Sequence, residues 1–350
     1  MMDGTFSETE DRCLPFPVPV LQTEELEVEF DTPKGTLHAV RGVSLTLNAG
    51  EILAVVGESG CGKSAMCRAV LKLLPRNASL RGRITVAGEE ISRYSERRMQ
   101  RLRGTCASMM FQDPMMSLNP AMSVGSQITE ALRRKGMSGS DAERRAVELL
   151  RLVGIDHPEQ RMTMQPYCFS GGMRQRCVLA VALALDPMLL LADEPTTALD
   201  VTVQARILDL LHTVSRTRKT GILLISHDLG AVARVADKVA VMYAGKIVEM
   251  GTVEDIFYDP RHPYTWGLLN ALPSRMRRGE KLRAIPGMPP DMTALPPGDA
   301  FAGRNKYALQ IDYEQMPPMF TISPTHCAAT WLLDPRAPNI PCPVTFRRGA

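Results

Sequence analysis

One segment of the 350-residue chain has the residue types and spacing of a phosphate-binding loop. It reads Gly57-Glu-Ser-Gly-Cys-Gly-Lys63-Ser64 and matches the pattern G-x-x-x-x-G-K-[ST] at every defined position. Glycines let successive backbone N–H groups turn inward and surround phosphate oxygens. Lys63 would reach the β- and γ-phosphates, and the Ser64 hydroxyl would ligate Mg²⁺. The segment therefore predicts a nucleoside triphosphate site.

The segments on either side of this loop support the prediction. Residues 52–56 are a short apolar run of the kind found in buried central strands, and residues 65–74 have a helical pattern. A strand, a glycine-rich turn and a helix in this order place the positive end of the helix dipole beside the loop. The alternative, a glycine-rich turn that binds no ligand, does not account for this order of elements.

Two adjacent carboxylates, Asp193 and Glu194, follow the apolar residues 188–192. At the carboxyl end of a parallel strand such residues face the crevice where nucleotides bind. Successive strand residues point to opposite sides, so we expect different roles. Asp193 would hold Mg²⁺ directly or through water, and Glu194 would polarise the attacking water as general base. A solvated pair at a strand end would deserve equal weight if no phosphate loop were present.

A third segment narrows the choice among phosphate-loop NTPases. Phe169-Ser170-Gly171-Gly172-Met-Arg-Gln-Arg176 opens an apolar helix that we expect to continue to Leu185. Ser170 can cap this helix, and the glycines allow close backbone approach. A capped helix N-terminus is a second anion site, so the chain would carry two half-sites, each completed by a second subunit. An ordinary capped helix is the alternative for this segment alone.

Composition excludes several other classes of protein. Lys and Arg number 41 against 38 Asp and Glu, a balance without a broad basic field for nucleic acid. The eight cysteines are scattered without a C-x-x-C pair, which favours free thiols in a reducing cytoplasm over a disulfide framework. No apolar run approaches the roughly 20 residues of a membrane span, and the start of the chain lacks signal-peptide features. Membrane association would therefore require partner proteins.

The remaining pattern predicts an α/β domain with a mostly parallel sheet, preceded by a leader over residues 1–20. Strands are expected at residues 26–30, 37–47, 189–192 and 222–225, a helix at 138–153, and a hairpin at 239–250 around Ala244-Gly245. From residue 260 onward proline becomes frequent and periodicity weakens. We interpret that part as an ordered but irregular C-terminal extension, with disorder as the competing interpretation.

Taken together, residues 21–258 resemble the nucleotide-binding cassette of an ABC transporter. The segment S-G-G-x-x-Q-R at 170–176 resembles the family signature, and the remaining family motifs follow in the family's order. They are Phe111-Gln112-Asp113-Pro114 (the Q-loop), Ala198-Leu199-Asp200 (the D-loop) and Ser226-His227-Asp228 (the switch histidine segment). Phe30 is the candidate for the aromatic side chain that stacks on adenine.

The resemblance implies a P-loop NTPase fold and a set of site residues. The fold would have a RecA-like parallel-sheet core, an antiparallel β subdomain and a helical subdomain at about 113–186. The metal would be held by Ser64, Gln112 and Asp193, and the catalytic residues would be Glu194, His227, Lys63 and Gln112. Nucleotide-binding residues would be Phe30, Gly57, Glu58, Ser59, Gly60, Cys61, Gly62, Lys63, Ser64, Ala65, Ser170, Gly171, Gly172 and Asp200.

The resemblance also implies a mechanism with two cassettes that close head to tail around two ATP molecules. Ser170 and Gly172 of one cassette would cover the γ-phosphate bound by the other. His227 would contact that phosphate and position the water, and Gln112 would sense the metal. Closure and release would drive alternation of membrane subunits to which the helical subdomain docks.

A narrower resemblance, to the ATPases of oligopeptide, dipeptide and nickel importers, rests on residues 111–120, 170–176, 258–273 and 285–290. Importers of this branch take up peptides and in some cases nickel complexes or glutathione. The resemblance implies two permease subunits, a second and different ATPase and an extracytoplasmic solute-binding protein, and no nucleic acid partner. It places the chain at the cytoplasmic face of the bacterial plasma membrane.

The tail departs from that branch at four positions. Many relatives carry four tail cysteines that are taken to hold an iron–sulfur cluster, and this sequence has other residues there: Asp299, Asn305, Asp312 and Thr330. Because such clusters need thiolates, we expect no cluster. The replacements could form a metal site with oxygen ligands, but a solvated loop is the preferred interpretation.

Two alternative functions stay open from the sequence. A soluble ABC ATPase that acts on nucleic acid or ribosomes is the first, although such proteins usually carry two cassettes, a coiled-coil insertion or a basic arm. A P-loop kinase is the second, and it leaves the signature helix and His227 unexplained.

Overall fold

The structure is a computed structural model that describes residues 19–113, 117–197, 199–272 and 285–344. The predicted leader lies outside these residues except for its last two positions, which open the first strand. The strands are β1 (Pro19–Thr32), β2 (Gly35–Asn48), β3 (Ile52–Val56), β4 (Ala78–Val86), β5 (Glu89–Glu90), β6 (Ala107–Met110), β7 (Leu189–Asp193), β8 (Gly221–Ser226), β9 (Lys238–Tyr243), β10 (Lys246–Thr252), β11 (Phe320–Thr321) and β12 (Cys327–Ala328).

The helices flank these strands. They are α1 (Lys63–Val70), α2 (Glu96–Leu102), α3 (Val124–Arg134), α4 (Gly139–Leu152), α5 (Pro158–Arg161), α6 (Gly171–Ala182), α7 (Val201–Arg218), α8 (Leu229–Val235), α9 (Val253–Tyr258), α10 (Pro263–Asn270) and α11 (Gln310–Glu314). None of the helices in the described ranges is long and apolar enough to cross a membrane.

The central sheet confirms the predicted α/β architecture. Its strand order is β11-β12-β10-β9-β3-β8-β7-β6, and the pairs from β9 to β6 are parallel. Every residue of β3 is buried, because helices or strands cover both faces of the sheet. Ile52, Ala54 and Val56 face one apolar core, and Leu53 and Val55 face the other. The alternation of side chains along one strand thus joins the two cores.

A second, antiparallel sheet with the order β2-β1-β4-β5 covers one of these cores. Alternating apolar residues of its strands, such as Leu26, Val28, Val43 and Ile84, pack into that core. On the other side of the central sheet, α3, α4 and α6 pack against one another through Ile128, Ala146 and Leu179, among others. These helices lie within the range where the sequence predicts a helical subdomain.

Most predicted elements are present, but β1 is longer than the strand predicted at 26–30 and two helices are shorter than predicted. The hairpin β9–β10 turns at Ala244 and Gly245, which both have positive φ as a two-residue type I′ turn requires. Helix α1 ends at Val70 rather than at residue 74, because Lys72 is left-handed (φ 52°) and the Leu73 N–H returns to the Arg68 carbonyl. Helix α6 ends at Ala182 rather than at Leu185.

Residues 285–344 are ordered and form part of the central sheet. Strand β12 pairs with β10, which would otherwise be the edge of the sheet, and β11 pairs with β12. The sequence analysis did not predict these strands, because each has only two residues and no alternating pattern. The interpretation of an ordered, irregular extension is confirmed for the described part of the tail.

A fully buried carboxylate joins the extension to the cassette. Glu249 of β10 accepts hydrogen bonds from the backbone N–H groups of Arg261 (2.6 Å) and His262 (3.0 Å), and its Oε1 lies 2.8 Å from His326 Nε2. The side chains of Glu249 and His326 are 0% and 1% exposed. One carboxylate therefore holds three segments that are distant in sequence.

The expectation of a solvated loop at the four replaced cysteine positions was wrong. All four residues are buried, and three of them accept a hydrogen bond from the N–H two residues further on: Asp299, Asn305 and Thr330. Asp312 accepts from the Leu309 N–H and caps α11. These polar side chains can be buried because each accepts a hydrogen bond from a nearby backbone N–H group. No group of three or more His, Cys, Asp or Glu side chains that could hold a metal ion is present among the described residues.

We predict that Glu249→Ala destabilises the protein by about 3 kcal/mol, because two N–H groups and His326 lose their buried acceptor. The loss is measured by chemical denaturation, as the shift of the midpoint between proteins whose m-values are the same. Glu254→Ala is the matched control, since Glu254 is exposed on α9 and its loss should cost less than about 0.5 kcal/mol. Equal midpoints for the two variants would contradict the prediction.

We predict a pH dependence from Asp299, whose pKa burial raises from 3.8 to about 6. A raised carboxyl pKa favours the protonated form in the folded state, so its contribution to stability is full below about pH 4 and is lost as pH rises to about 6. Wild type should lose about 3 kcal/mol over this range relative to Asp299→Asn, which keeps the acceptor for the Phe301 N–H.

The control for this experiment is Asp334→Asn. Hydrogen bonds from Arg336 lower the pKa of Asp334 to about 2, so its replacement should produce the opposite slope, confined to acid pH. A stability difference between wild type and Asp299→Asn that does not change with pH would refute the prediction for Asp299.

Candidate functional site

The phosphate loop runs from the end of β3 to the start of α1, and its glycines are required by close backbone contacts. A Cβ atom at Gly57 would lie 2.1 Å from the Met242 carbonyl oxygen, and one at Gly62 would lie 2.0 Å from the Ala39 carbonyl oxygen. Gly62 also has φ 106°, a conformation that L side chains rarely adopt. The loop therefore packs closely against β9 and β2.

Lys63 is the first residue of α1, and its side chain is held inside the loop. Its ammonium nitrogen donates to the carbonyl oxygens of Gly57 (2.8 Å) and Glu58 (2.9 Å), and the residue is only 5% exposed. A buried ammonium needs such acceptors, because an unpaired charge in the interior is costly. The loop thus positions one fixed positive charge at the N-terminus of a helix, where anions are stabilised.

Ser64 and Asp193 form the second part of the site. The Ser64 hydroxyl donates to Asp193 Oδ1 over 2.7 Å, which joins α1 to the end of β7. Asp193 is fully buried, and its Oδ2 has no hydrogen-bond partner. Burial raises the pKa of Asp193, although the bond from Ser64 opposes that effect. A hydroxyl and a carboxylate with an unsatisfied buried oxygen are ligands that suit Mg²⁺.

Glu194 is the first residue after β7, and its side chain has different partners from that of Asp193. Its φ of 48° is unusual for a side chain larger than glycine, and its N–H donates to the Ile225 carbonyl of the neighbouring strand. The predicted divergence of the two carboxylates is thus present, and this backbone turn adds to the alternation of the strand. Left-handed residues of this kind are concentrated at functional sites.

Three side chains converge on one oxygen of Glu194. Gln112 Nε2 lies 3.1 Å from Glu194 Oε2, Thr197 Oγ1 lies 2.9 Å from it and His227 Nδ1 lies 3.4 Å from it. Glu194 is 13% exposed and His227 is 60% exposed. The structure therefore brings together the residues that the sequence analysis assigned to the Q-loop, the general base and the switch histidine segment.

The cluster borders a cavity of about 180 Å³ that also includes Gln204 and Asp228 in its lining. Asp228 caps α8 and accepts a hydrogen bond of 2.8 Å from Gln204. This pair orients the segment that carries His227. The sequence analysis did not single out Thr197 or Gln204, and nothing in their spacing marks them, since they meet the cluster only through the fold.

The signature segment opens α6, as predicted. Ser170 caps α6 by accepting from the Met173 N–H, and Ser170 and Gly171 are exposed. A Cβ at Gly172 would lie 2.4 Å from Val203 Cγ1, so this glycine permits close packing on α7. No hydrogen bond within the described residues joins Ser170 to the phosphate loop.

The other predicted site residues differ from one another in exposure and in hydrogen bonding. Phe30 lies half-buried in β1, and Asp200 caps α7 by accepting from the Val203 N–H over 3.0 Å. Cys61 is buried, and Ser59 and Gly60 are exposed in the loop. Pro114 and Ala198, from the Q-loop and D-loop motifs, lie outside the described residues.

Glu58 belongs to the loop, but its polar groups are engaged by protein. The C-terminal extension supplies two of the partners, Tyr264 and Arg304. The sequence analysis gave neither residue a role at the site. Contacts over more than 200 positions of sequence leave no local signal.

Comparison with known proteins agrees with this geometry. Residues 40–197 match the family described as "ABC transporter", and residues 248–311 match the "Oligopeptide/dipeptide transporter, C-terminal region". The oligopeptide transport ATP-binding protein OppD of Bacillus subtilis is 55% identical over 93% of this chain and 92% of its own length. The dipeptide transport ATP-binding protein DppD of Lactococcus lactis is 52% identical over 92% and 93%.

Solved structures share the fold. The dimeric ABC transporter cassette MJ0796 aligns with a TM-score of 0.60 and 23% identity over 67% of this chain and 98% of its own. The cbiO1 protein from Clostridium perfringens, part of the ABC transporter complex cbiONQ, aligns with a TM-score of 0.60 and 28% identity over 68% and 90%. With this fold, this site and relatives that match over nine-tenths of its length, the chain belongs to the ATP-binding proteins of ABC transporters, in the branch with the oligopeptide/dipeptide C-terminal region.

Proposed function

We propose that this chain hydrolyses ATP to power an importer of peptides or related small solutes. The convergence of Gln112, Thr197 and His227 on Glu194, beside the Lys63 loop, carries this proposal. It is the arrangement expected of a general base and its positioning groups next to a phosphate-binding loop. The named relatives, which are oligopeptide and dipeptide transport proteins, support the class of solute.

The residues of the site have separate roles in this proposal. Lys63 and the loop N–H groups bind the β- and γ-phosphates and balance their charge. Glu194 accepts the proton of the attacking water, His227 contacts the γ-phosphate and positions that water, and Gln112 senses the metal. Ser64, Asp193 and Gln112 would hold Mg²⁺, which would supply positive charge to offset the charge on the phosphates. Phe30 stacks on the adenine ring.

The absence of a hydrogen bond between Ser170 and the phosphate loop within the described residues supports a two-subunit site. We propose that Ser170, Gly171 and Gly172 of a second cassette cover the γ-phosphate, with Asp200 at the junction of the two subunits. The second cassette would be a different paralogue. Residues 21–258 would form the cassette and residues 259–350 the importer-type extension, as the sequence analysis predicts.

The proposed assembly contains two membrane permeases and, outside the membrane, a solute-binding protein. The chain would lie at the cytoplasmic face of the bacterial plasma membrane and reach it through the permeases. A soluble ABC ATPase that acts on nucleic acid or ribosomes is the alternative, and the match to the oligopeptide/dipeptide region does not favour it.

The assembly is tested by affinity purification. A tagged Glu194→Gln variant, expressed in its native cell and solubilised gently with ATP, should recover two permeases and a related ATPase. The tagged wild-type chain without ATP is the control for complexes that do not depend on closure. Recovery of ribosomes or nucleic acid in place of membrane proteins would refute the importer proposal and leave the ATPase assignment intact.

We predict that Glu194→Gln lowers ATP turnover about 10²–10⁴-fold and preserves ATP binding, because the amide cannot accept the proton of water. Turnover is measured as phosphate release and binding by calorimetry, with Lys63→Ala as the contrasting variant that weakens binding itself. Wild-type turnover in Glu194→Gln would remove Glu194 from the role of general base.

A further inference from the structure

Glu58 of the phosphate loop is hydrogen-bonded to the C-terminal extension. The Glu58 N–H donates to Tyr264 Oη over 2.8 Å, and the Glu58 carboxylate receives two hydrogen bonds from Arg304, of 2.6 Å and 2.9 Å. The Glu58 carbonyl oxygen accepts from Lys63. Two of these three anchors come from residues more than 200 positions away in the sequence.

Arg304 is itself rigidly held. Its Nε donates to the Pro286 carbonyl over 2.8 Å, its Nη1 lies 3.2 Å from Tyr243 Oη, and its side chain is 7% exposed. A planar guanidinium fixed on both sides is suited to bidentate pairing with a carboxylate. The charge of Glu58 therefore has a fixed partner at all ordinary pH values.

Three aromatic rings pack behind this pair. Tyr243, Tyr264 and Phe301 have ring centroids 4.6–5.3 Å apart in tilted or edge-on orientations. Tyr264 is fully buried, and burial raises its pKa, so it stays a neutral phenol. Tyr264 and Phe301 lie on either side of residues 273–284, so both flanking parts of the extension contribute to this packing.

A carboxylate in a phosphate-binding loop is electrostatically unfavourable for a polyphosphate ligand. Like charges repel, and the repulsion is stronger where water is partly excluded. Glu58 is 25% exposed, so solvent screens it incompletely. A fixed guanidinium on that carboxylate offsets its charge and fixes its position.

We propose that Arg304 and Tyr264 are positioning residues for the nucleotide site: Arg304 neutralises and anchors Glu58, and Tyr264 fixes the Glu58 N–H, so that the extension tunes ATP affinity. This inference rests on the proposed function, because it requires ATP at the Lys63 loop. It gives the extension a part in ATP binding in addition to any contact with other subunits.

The test measures the ATP dissociation constant and the KM and kcat of ATP hydrolysis for the full chain. Arg304→Met should raise the dissociation constant and KM about tenfold, because the carboxylate is left unpaired beside the phosphates. Adding Glu58→Gln to Arg304→Met should recover most of the affinity, because the repulsive charge is then removed. The effect of Arg304→Met should also shrink as ionic strength rises.

Two further variants complete the design. Tyr264→Phe keeps the packing and removes only the acceptor of the Glu58 N–H, and we expect a several-fold rise in KM; it serves as the deciding variant if Arg304→Met does not fold. Arg336→Met is the matched control, since Arg336 pairs with Asp334 in the extension, is highly exposed and has no contact with the loop among the hydrogen bonds of the described residues. It should bind ATP as wild type does.

The outcomes separate this inference from the proposed function. If Lys63→Ala abolishes ATP binding while Arg304→Met and Tyr264→Phe bind ATP as wild type does, the positioning role is overturned and the ATP site stands. If Lys63→Ala binds ATP normally, the site assignment itself fails. Arg304→Met with a tenfold higher KM that Glu58→Gln does not reduce would also overturn the charge-neutralising role of Arg304.

Discussion

The parallel pairing of β3, β8 and β7 is the constraint on which the rest of the structure depends. Parallel neighbours end at the same edge of a sheet, and here Val56 is level with Ser226 while Asp193 is level with Ile225. The phosphate loop, the two carboxylates and the switch histidine segment therefore emerge side by side, although they are up to 170 residues apart along the chain. The buried strands require uninterrupted apolar residues, so the charged residues can only follow their ends.

The charges at that edge are compensated within a small space. Lys63 is stabilised by hydrogen bonds to two carbonyl oxygens of its own loop, and Asp193 by a hydrogen bond from one hydroxyl, while its other oxygen has no partner. Such incomplete satisfaction is costly in a protein interior, and it is typical of sites that bind a ligand of complementary charge. The left-handed backbone at Glu194 adds to this cost and directs its carboxylate to Gln112 and His227. The incompletely satisfied groups therefore lower the stability of this region, and they are the groups that would bind phosphate and cation.

The C-terminal extension is joined to the cassette in at least three places. It covers the edge strand β10 with β12, shares the buried Glu249 with the cassette and reaches the loop through Glu58. Its polar residues at the four replaced cysteine positions are buried and hydrogen-bonded to neighbouring backbone, so the fold there does not depend on a cluster of thiolates.

The sequence by itself determined the elements whose signals are local. The loop Gly57–Ser64, the buried strands, the Ser170 cap and the Ala244-Gly245 turn follow from apolar runs, glycine positions and capping residues, which act over a few residues. Tertiary structure alone decided the convergence on Glu194, the burial of Asp299 and its three counterparts, and the contact of Arg304 with Glu58. These depend on which distant surfaces meet, and short, irregular segments such as β11 and β12 carry no periodic pattern from which such a meeting could be predicted.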